Sequence, residues 1–162
     1  MKKLSNFLMI FLVSSSLQAQ QYQTAIGFRG DLSTIENGLA ELSFKHFFSG
    51  QSAFQINAGG NTRSVFTQIA YHRNQRLTSD LEWYWGAGVN GSYWKRGNYG
   101  RADIAETQGF WGGVDGTIGL DYTFLEVPIN LALDTGPTLR VYPDVKFGWM
   151  AGVSFRYAFR YR

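Results

Sequence analysis

From Gln21 to the C-terminus, apolar and polar positions alternate with a period of two, and no stretch repeats at helical spacing. The alternation predicts eight strands and an all-β fold. The first runs from Gln21 to Asp31 and sets Tyr22, Thr24, Ile26 and Phe28 against Gln23, Ala25, Gly27 and Arg29. The second, Gly38 to Phe48, sets Leu42, Phe44, His46 and Phe48 against Glu41, Ser43, Lys45 and Phe47. After SGQS, a third opposes Phe54, Ile56 and Ala58 to Gln55, Asn57 and Gly59, and a fourth opposes Val65, Thr67, Ile69 and Tyr71 to Phe66, Gln68, Ala70 and His72.

The polar RNQRLTSD segment breaks the pattern and predicts a turn before a fifth strand, where Leu81, Trp83, Trp85, Ala87 and Val89 face away from Glu82, Tyr84, Gly86, Gly88 and Asn90. WKRGNYGRADIAETQ is the longest irregular stretch. The sixth strand, Phe110 to Phe124, separates Val114, Ile118, Leu120 and Tyr122 from Asp115, Thr117, Gly119 and Asp121; after LEVP the seventh, Ile129 to Asp134, separates Ile129, Leu131 and Leu133 from Asn130, Ala132 and Asp134. GPTLRVYPDVK reads as a connection. The last strand, FGWMAGVSFRYAFRYR, places Phe147, Trp149, Val153, Phe155, Tyr157 and Phe159 opposite Gly148, Gly152, Arg156 and Arg160.

Before all this comes MKKLSNFLMIFLVSSSLQAQ, two lysines, a short apolar run and a small-polar stretch, which is the layout of a secretory signal peptide. Its apolar run is well short of the roughly 18 residues of a membrane-spanning helix. The expected division is residues 1–19 as a cleaved signal and 20–162 as a single β-barrel domain. There is no cysteine, so neither a disulfide nor a lipid-modified cysteine contributes. Without Lys2 and Lys3 the balance is thirteen basic against twelve acidic residues, which gives no electrostatic footprint for nucleic acid.

Composition then separates two inside-out alternatives. A lipocalin-like periplasmic binding barrel points its apolar face inward, whereas a membrane barrel points it outward. Charged residues are only 17% of the chain, against about 25% in ordinary soluble domains, while aromatics reach 17% and there are 19 glycines. The less apolar face mixes glycine and alanine with scattered charges of both signs: Arg29, Glu41, Lys45, Glu82, Asp115, Asp121, Asp134, Arg156 and Arg160. Such a face suits the lumen of an eight-stranded barrel, which is just wide enough for side chains to fill. Unpaired charge there is costly, so Arg29, Arg156 and Arg160 are each expected to meet an acidic partner.

The other face is graded. With both chain ends periplasmic, Tyr22, Phe44, Phe48, Tyr71, Trp83, Trp85, Tyr122, Phe124, Tyr157 and Phe159 collect near the periplasmic ends, and Phe28, Trp111, Phe147 and Trp149 at the outer ends, with aliphatic residues between. Two aromatic girdles flanking an aliphatic band are the pattern of a lipid-facing surface. Short SGQS and LEVP on one side and the long fifth-to-sixth connection on the other fit the same orientation, with RNQRLTSD the misfit.

The segments GTIGLDYTFLEVPINLALDTGPTLRV and FGWMAGVSFRYAF resemble the last three strands of small eight-stranded OmpA/OmpX-like outer-membrane barrels of the Bacteroidota type. That resemblance implies an up-and-down transmembrane β-barrel in the cell outer membrane, monomeric, porin-like in fold, contacting outer-membrane lipid and lipopolysaccharide, and inserted by the barrel-assembly machinery through its C-terminal strand. It also implies a structural or surface-interaction role. The aromatic residue that usually closes these chains is here Tyr161, one position before the end.

Lipid A-modifying enzymes share this architecture, so nucleophiles matter. The two histidines, His46 and His72, both fall near periplasmic ends, and no His-x-Ser-Asn pattern occurs. His46 reads as an interfacial side chain and His72 as a lumen hydrogen-bonder; neither catalytic residues, a metal set nor a cofactor motif is expected. A narrow channel past the charged pairs is the other alternative. The remaining candidate is the fifth-to-sixth loop, where Trp94, Lys95, Arg96, Tyr99 and Arg101 form an aromatic-basic contact for phosphates or a partner.

Overall fold

The computed structural model describes residues 22–35, 39–60, 64–94 and 109–159. Arg160, Lys95, Arg96, Tyr99 and Arg101 lie outside the described residues, as do the segment 1–21 and Tyr161. Among the described residues the strands are β1 (Thr24–Ser33), β2 (Leu39–Phe47), β3 (Ser52–Gly60), β4 (Ser64–Arg76), β5 (Leu81–Trp94), β6 (Gly109–Thr123), β7 (Ile129–Tyr142) and β8 (Lys146–Phe159). Each pairs antiparallel with its sequence neighbours, and β8 returns to β1, from Thr24↔Phe159 to Ser33↔Met150. The result is a closed up-and-down barrel that leaves no edge strand unpaired.

Register fixes the barrel's girth. From Gly27 the ladder leads through Ser43, Asn57, Gln68, Asn90 and Gly113 to Arg140 of β7 in one direction, and through Arg156 to Asn130 of β7 in the other. Closure thus carries a stagger of ten residues. Eight strands with that stagger tilt toward the upper part of the roughly 35–45° range and enclose a lumen for side chains rather than solvent. The rim carrying Thr24, Phe159 and the connections 47–52, 76–81 and 123–129 is termed the lower rim; the opposite one, with 33–39, 60–64, 94–109 and 142–146, the upper rim.

Two strands outrun the sequence expectation. RNQR remains in β4, where Arg73, Asn74, Gln75 and Arg76 pair with Trp85, Tyr84, Trp83 and Glu82. Their polarity reflects a polar lumen and a rim, not a turn: Asn74 points inward and donates to Glu82 at 2.9 Å. Likewise β7 continues through Gly136-Pro137 to Tyr142. Pro137 is tolerated because it keeps its place against Trp149 on the β8 side. On the β6 side the pairs Gly116/Pro137 and Thr117/Gly136 drop out of the ladder, while Asp115↔Thr138 and Ile118↔Thr135 flank the gap. Both missing pairs depend on a donor that proline lacks, an amide at 137 directed to Gly116.

Burial is inverted relative to a soluble protein. Lys45, Asn57, His72, Asp121, Asn130 and Arg156 are at most 1% exposed, whereas Phe28, Leu32, Leu42, Val89, Leu133, Phe147 and Val153 are more than half exposed. The alternation was read correctly; its two faces are the lumen and the outside.

Candidate functional site

The lumen is the part of the molecule with chemistry in it, and two aspartates organise it. Asp134, on β7, accepts hydrogen bonds from Nη1 and Nη2 of Arg29 at 2.6 and 2.7 Å and from the Tyr84 hydroxyl at 2.7 Å. The same guanidinium reaches Asp31 at 2.9 Å, and its Nε stands 3.8 Å from Glu41. Such a two-pronged, charge-assisted pair has the planar fit that lysine cannot supply. It is possible only because Gly152 of β8 and Gly59 of β3 leave room: a Cβ at Gly152 would overlap the Arg29 guanidinium, and one at Gly59 would come 2.7 Å from Glu41 Cγ.

Nearer the lower rim, Asp121 accepts from the fully buried Lys45 ammonium at 2.7 Å, from Tyr22 at 3.0 Å and from Asn130. The ammonium also lies 4.3 Å over the Tyr84 ring, a second source of stabilisation for a desolvated charge. Arg156 corrects the expectation of an acidic partner. Its Nε donates to Ser43 at 2.9 Å, Nη1 to Asn130 at 3.1 Å, and Nη2 to Gln55 and Ser154, both at 2.9 Å. Four neutral acceptors satisfy it, and Asn130 relays it to Asp121. A salt bridge is one solution for a buried guanidinium; saturation by amides and hydroxyls is another.

Of the remaining lumen candidates, Asp115 accepts from Asn90 at 2.8 Å, and Glu82 sits at the lower end on Asn74. Asp31, Tyr84, Asn130, Gln55 and Gln68 complete the network without having been singled out in the sequence. Their inward register was visible; attention to formal charge hid the neutral ones, whereas Asp31, at the upper end of its strand, was passed over although charge and register both marked it. His72 faces the lumen as expected but is not a hydrogen-bonder there: neither ring nitrogen has a partner among the described residues, and the ring packs 4.7 Å from Tyr84. His46 lies outside, bonded to Thr24 at 2.8 Å and stacked beside Phe44.

Apolar side chains seal this polar interior at both ends. At the upper end Phe66, Trp94 and Trp111 form one buried cluster. Ile35 leans over Gly148 on the other side of the mouth, where any Cβ would overlap it. At the lower end Tyr22 and Phe47 meet edge to face at 5.2 Å above Ala25, Ala53 and Ala158.

These seals correct three placements. Tyr22 precedes β1, so the strand alternation does not govern it; it turns into the mouth toward Asp121 instead of joining the outer girdle. Trp111 and Trp94 are likewise strand residues pointing inward, so Trp94 belongs to the upper seal and not to a loop contact. Their outward neighbours Phe110 and Tyr93 take the girdle positions. Phe28 pairs with Leu42 and Phe155 and sits well inside the aliphatic band.

The outer face otherwise follows the expected grading. Phe44, Phe48, Tyr71, Trp83, Trp85, Tyr122, Tyr157 and Phe159 ring the lower half, and Tyr93, Phe110, Phe147 and Trp149 the upper rim of β5, β6 and β8. Polar atoms among them are bonded locally: Tyr71 to Ser52 at 2.9 Å, and the Trp149 indole to Thr135 at 2.7 Å. Below the lower girdle the 77–81 turn is fastened by Asp80, which accepts from Thr78 at 2.7 Å and Ser79 at 3.3 Å. The Thr78 hydrogen bond, followed by one from Tyr122, holds the Asp80 carboxyl below its ordinary range.

No family model matches the sequence, and no curated protein does. The fold does have solved counterparts. The chain superimposes on the N-terminal β-barrel domain of Pseudomonas aeruginosa OprF with a TM-score of 0.63 at 19% identity, covering 86% of this chain and 98% of that one. A de novo designed transmembrane β-barrel matches with a TM-score of 0.55 at 13% identity, covering 87% and 98%. At such identities the likeness is one of architecture: a closed eight-stranded barrel of the transmembrane kind.

Proposed function

We propose that this chain is an integral outer-membrane β-barrel that acts as a structural and surface-interaction element, not as a conduit or a catalyst. The observation that carries this reading is the joint inversion of the two faces. Outside, an apolar band lies between aromatic girdles; inside, a network of bonded charges, amides and hydroxyls is flanked by apolar clusters at both ends. On β8 the outward row from Phe147 to Phe159 spans twelve residue steps, which at about 3.3 Å each and a tilt near 45° rise roughly 28 Å, close to the thickness of a bilayer's hydrocarbon core. Bonded charges filling the lumen and tryptophan at its mouth argue against a continuous water path.

In this reading residues 1–19 direct export and are removed, the lower rim is periplasmic, and the last strand is recognised during insertion. The partners are then the surrounding lipid and lipopolysaccharide. The comparison with OprF supports the architecture on which the proposal rests. The test is twofold. The protein should fractionate with the outer membrane and migrate differently on a gel with and without boiling; recovery in the soluble periplasm sinks the proposal. Purified barrel in a planar bilayer should leave the conductance of bare lipid unchanged; discrete channel openings would refute the sealed lumen. A lipid A mass spectrum unaltered by deletion of the gene is expected, and a lost or added acyl chain would make it an enzyme.

A further inference from the structure

The ten-residue stagger, spread over eight strands, lowers a level line by about 1.25 residues per strand, each residue rising roughly 2.4 Å along the axis. By this measure the lower ends are level all round: Thr24, Phe47, Arg76, Thr123 and Phe159 fall within about two residues of one another. The upper rim is not level. The last outward apolar residue of β1, Leu32, stands about three residues below Tyr93, Val141 and Phe147, a drop of roughly 8 Å. Immediately above it the chain turns polar at Ser33 and Thr34, and β3 gives way to the short 60–64 connection.

The outward side chains of the same sector are also small. At the level of Ala40 and Ala58 small outward residues also stand on β6 and β8, Gly116 and Ala151, but above it those strands and β7 continue with Val114, Trp149 and Leu139, whereas the apolar row of β1 ends at Leu32. No aromatic residue stands at the upper rim of β1, β2 or β3 among the described residues. An apolar wall that falls several Å short is accommodated by tilting the barrel, by thinning the leaflet, or by both. Phe48, just past β2, and Trp83, Tyr122 and Tyr157 on β5, β6 and β8 fall within about two residues of one another and anchor the lower interface against tilt.

We infer that the barrel carries a built-in thin side: along β1–β3 the upper leaflet is drawn down, so that headgroups meet the wall at the level of Ala40 and Ala58. The surface is thus an interaction site for lipid, with a partner of stated chemistry, a leaflet whose polar layer descends onto small side chains and their reachable backbone. This inference rests on the membrane-spanning reading.

The chain has no cysteine, so single nitroxide labels can be introduced cleanly. Ala58→Cys and Gly116→Cys lie at nearly the same height, on β3 and β6; Phe54→Cys and Leu120→Cys form a second level pair lower down. Each variant is reconstituted as full-length folded barrel in dioleoylphosphatidylcholine vesicles, folding being confirmed by heat-modifiability. Depth is then read from relaxation by oxygen against a water-soluble nickel complex. The expected result is that Ala58→Cys reports a position about 6 Å shallower than Gly116→Cys, while the lower pair agrees. Equal depth at the upper pair overturns the inference, and so does an opposite displacement of the lower pair, which signals tilt. Labels at all four positions reached by nickel and not by oxygen would instead sink the membrane-spanning reading itself.

Discussion

The guanidinium of Arg29 lies directly over Gly152, in space that any side chain at position 152 would occupy. That contact lets an arginine on β1 reach Asp134 on β7 across the intervening β8. Gly152→Ala is therefore expected to push Arg29 off Asp134 and to cost on the order of 3 kcal/mol, as when a buried pair loses a partner. Gly116→Ala, whose new methyl would meet only the Pro137 ring, Cγ at 3.5 Å and Cδ at 3.7 Å, should stay within about 0.5 kcal/mol. Urea unfolding in micelles, followed by the heat-modified band, separates the two.

Among the carboxylates, Asp134 and Asp121 should dominate stability. Each accepts three donors, whereas Glu82 is held by Asn74 at the lower end. Asp134→Asn and Asp121→Asn are each expected to lower stability by about 2–4 kcal/mol, and Glu82→Gln by less than about 1 kcal/mol. A ranking with Glu82 at the top, measured by the same unfolding titration, would contradict the two-hub description.

Arg156 tests whether neutral acceptors suffice. Arg156→Lys keeps the charge but offers three donors in place of a fixed fork, leaving part of Ser43, Gln55, Asn130 and Ser154 unbonded. The expected loss is about 2 kcal/mol. Pairing it with Asn130→Ala should give a cost smaller than the sum, because Asn130 is the relay to Asp121.

Position 137 offers a backbone test. Pro137→Ala supplies the missing amide to Gly116, and that new amide should exchange slowly, like those of Thr135 and Leu139 on either side. Net stability should move little, since a gained hydrogen bond and a freer unfolded chain, each worth about 1 kcal/mol, oppose one another. Fast exchange of the introduced amide would show that the β6–β7 gap has another cause.

Acid should loosen the lower turn only once the pH has fallen below the ordinary carboxylate range. Because hydrogen bonding depresses the Asp80 carboxyl, its contribution to the 77–81 turn is complete above about pH 4 and is lost as pH falls through its lower folded value. An NMR titration following Thr78 and Asp80 should show the transition below pH 4, and Asp80→Asn should abolish it.

Much of this molecule was legible in the sequence because a barrel strand has one rule, alternation, and charge or apolarity labels each face. Arg29, Glu41, Lys45, Asp115, Asp121, Asp134 and Arg156 all line the lumen that their register predicted. What escaped was whatever alternation does not govern. Tyr22 lies before its strand, so its direction is set by Asp121. Trp94 and Trp111 are inward despite being tryptophan, because a lumen mouth needs apolar stoppers as much as a membrane interface needs anchors. Gly136-Pro137 looked like a turn, and only pairing with β8 keeps it extended.

Arg29 and Asp134 sit on the two strands that flank β8, the last to be made. Until β8 is seated there is no floor for the guanidinium and no fixed span to its carboxylate. The fork therefore behaves as a latch across the closing seam. A seven-stranded intermediate gains nothing from it, and the completed ring gains all of it at once, which makes closure of the barrel a cooperative final event rather than the last of eight equal additions.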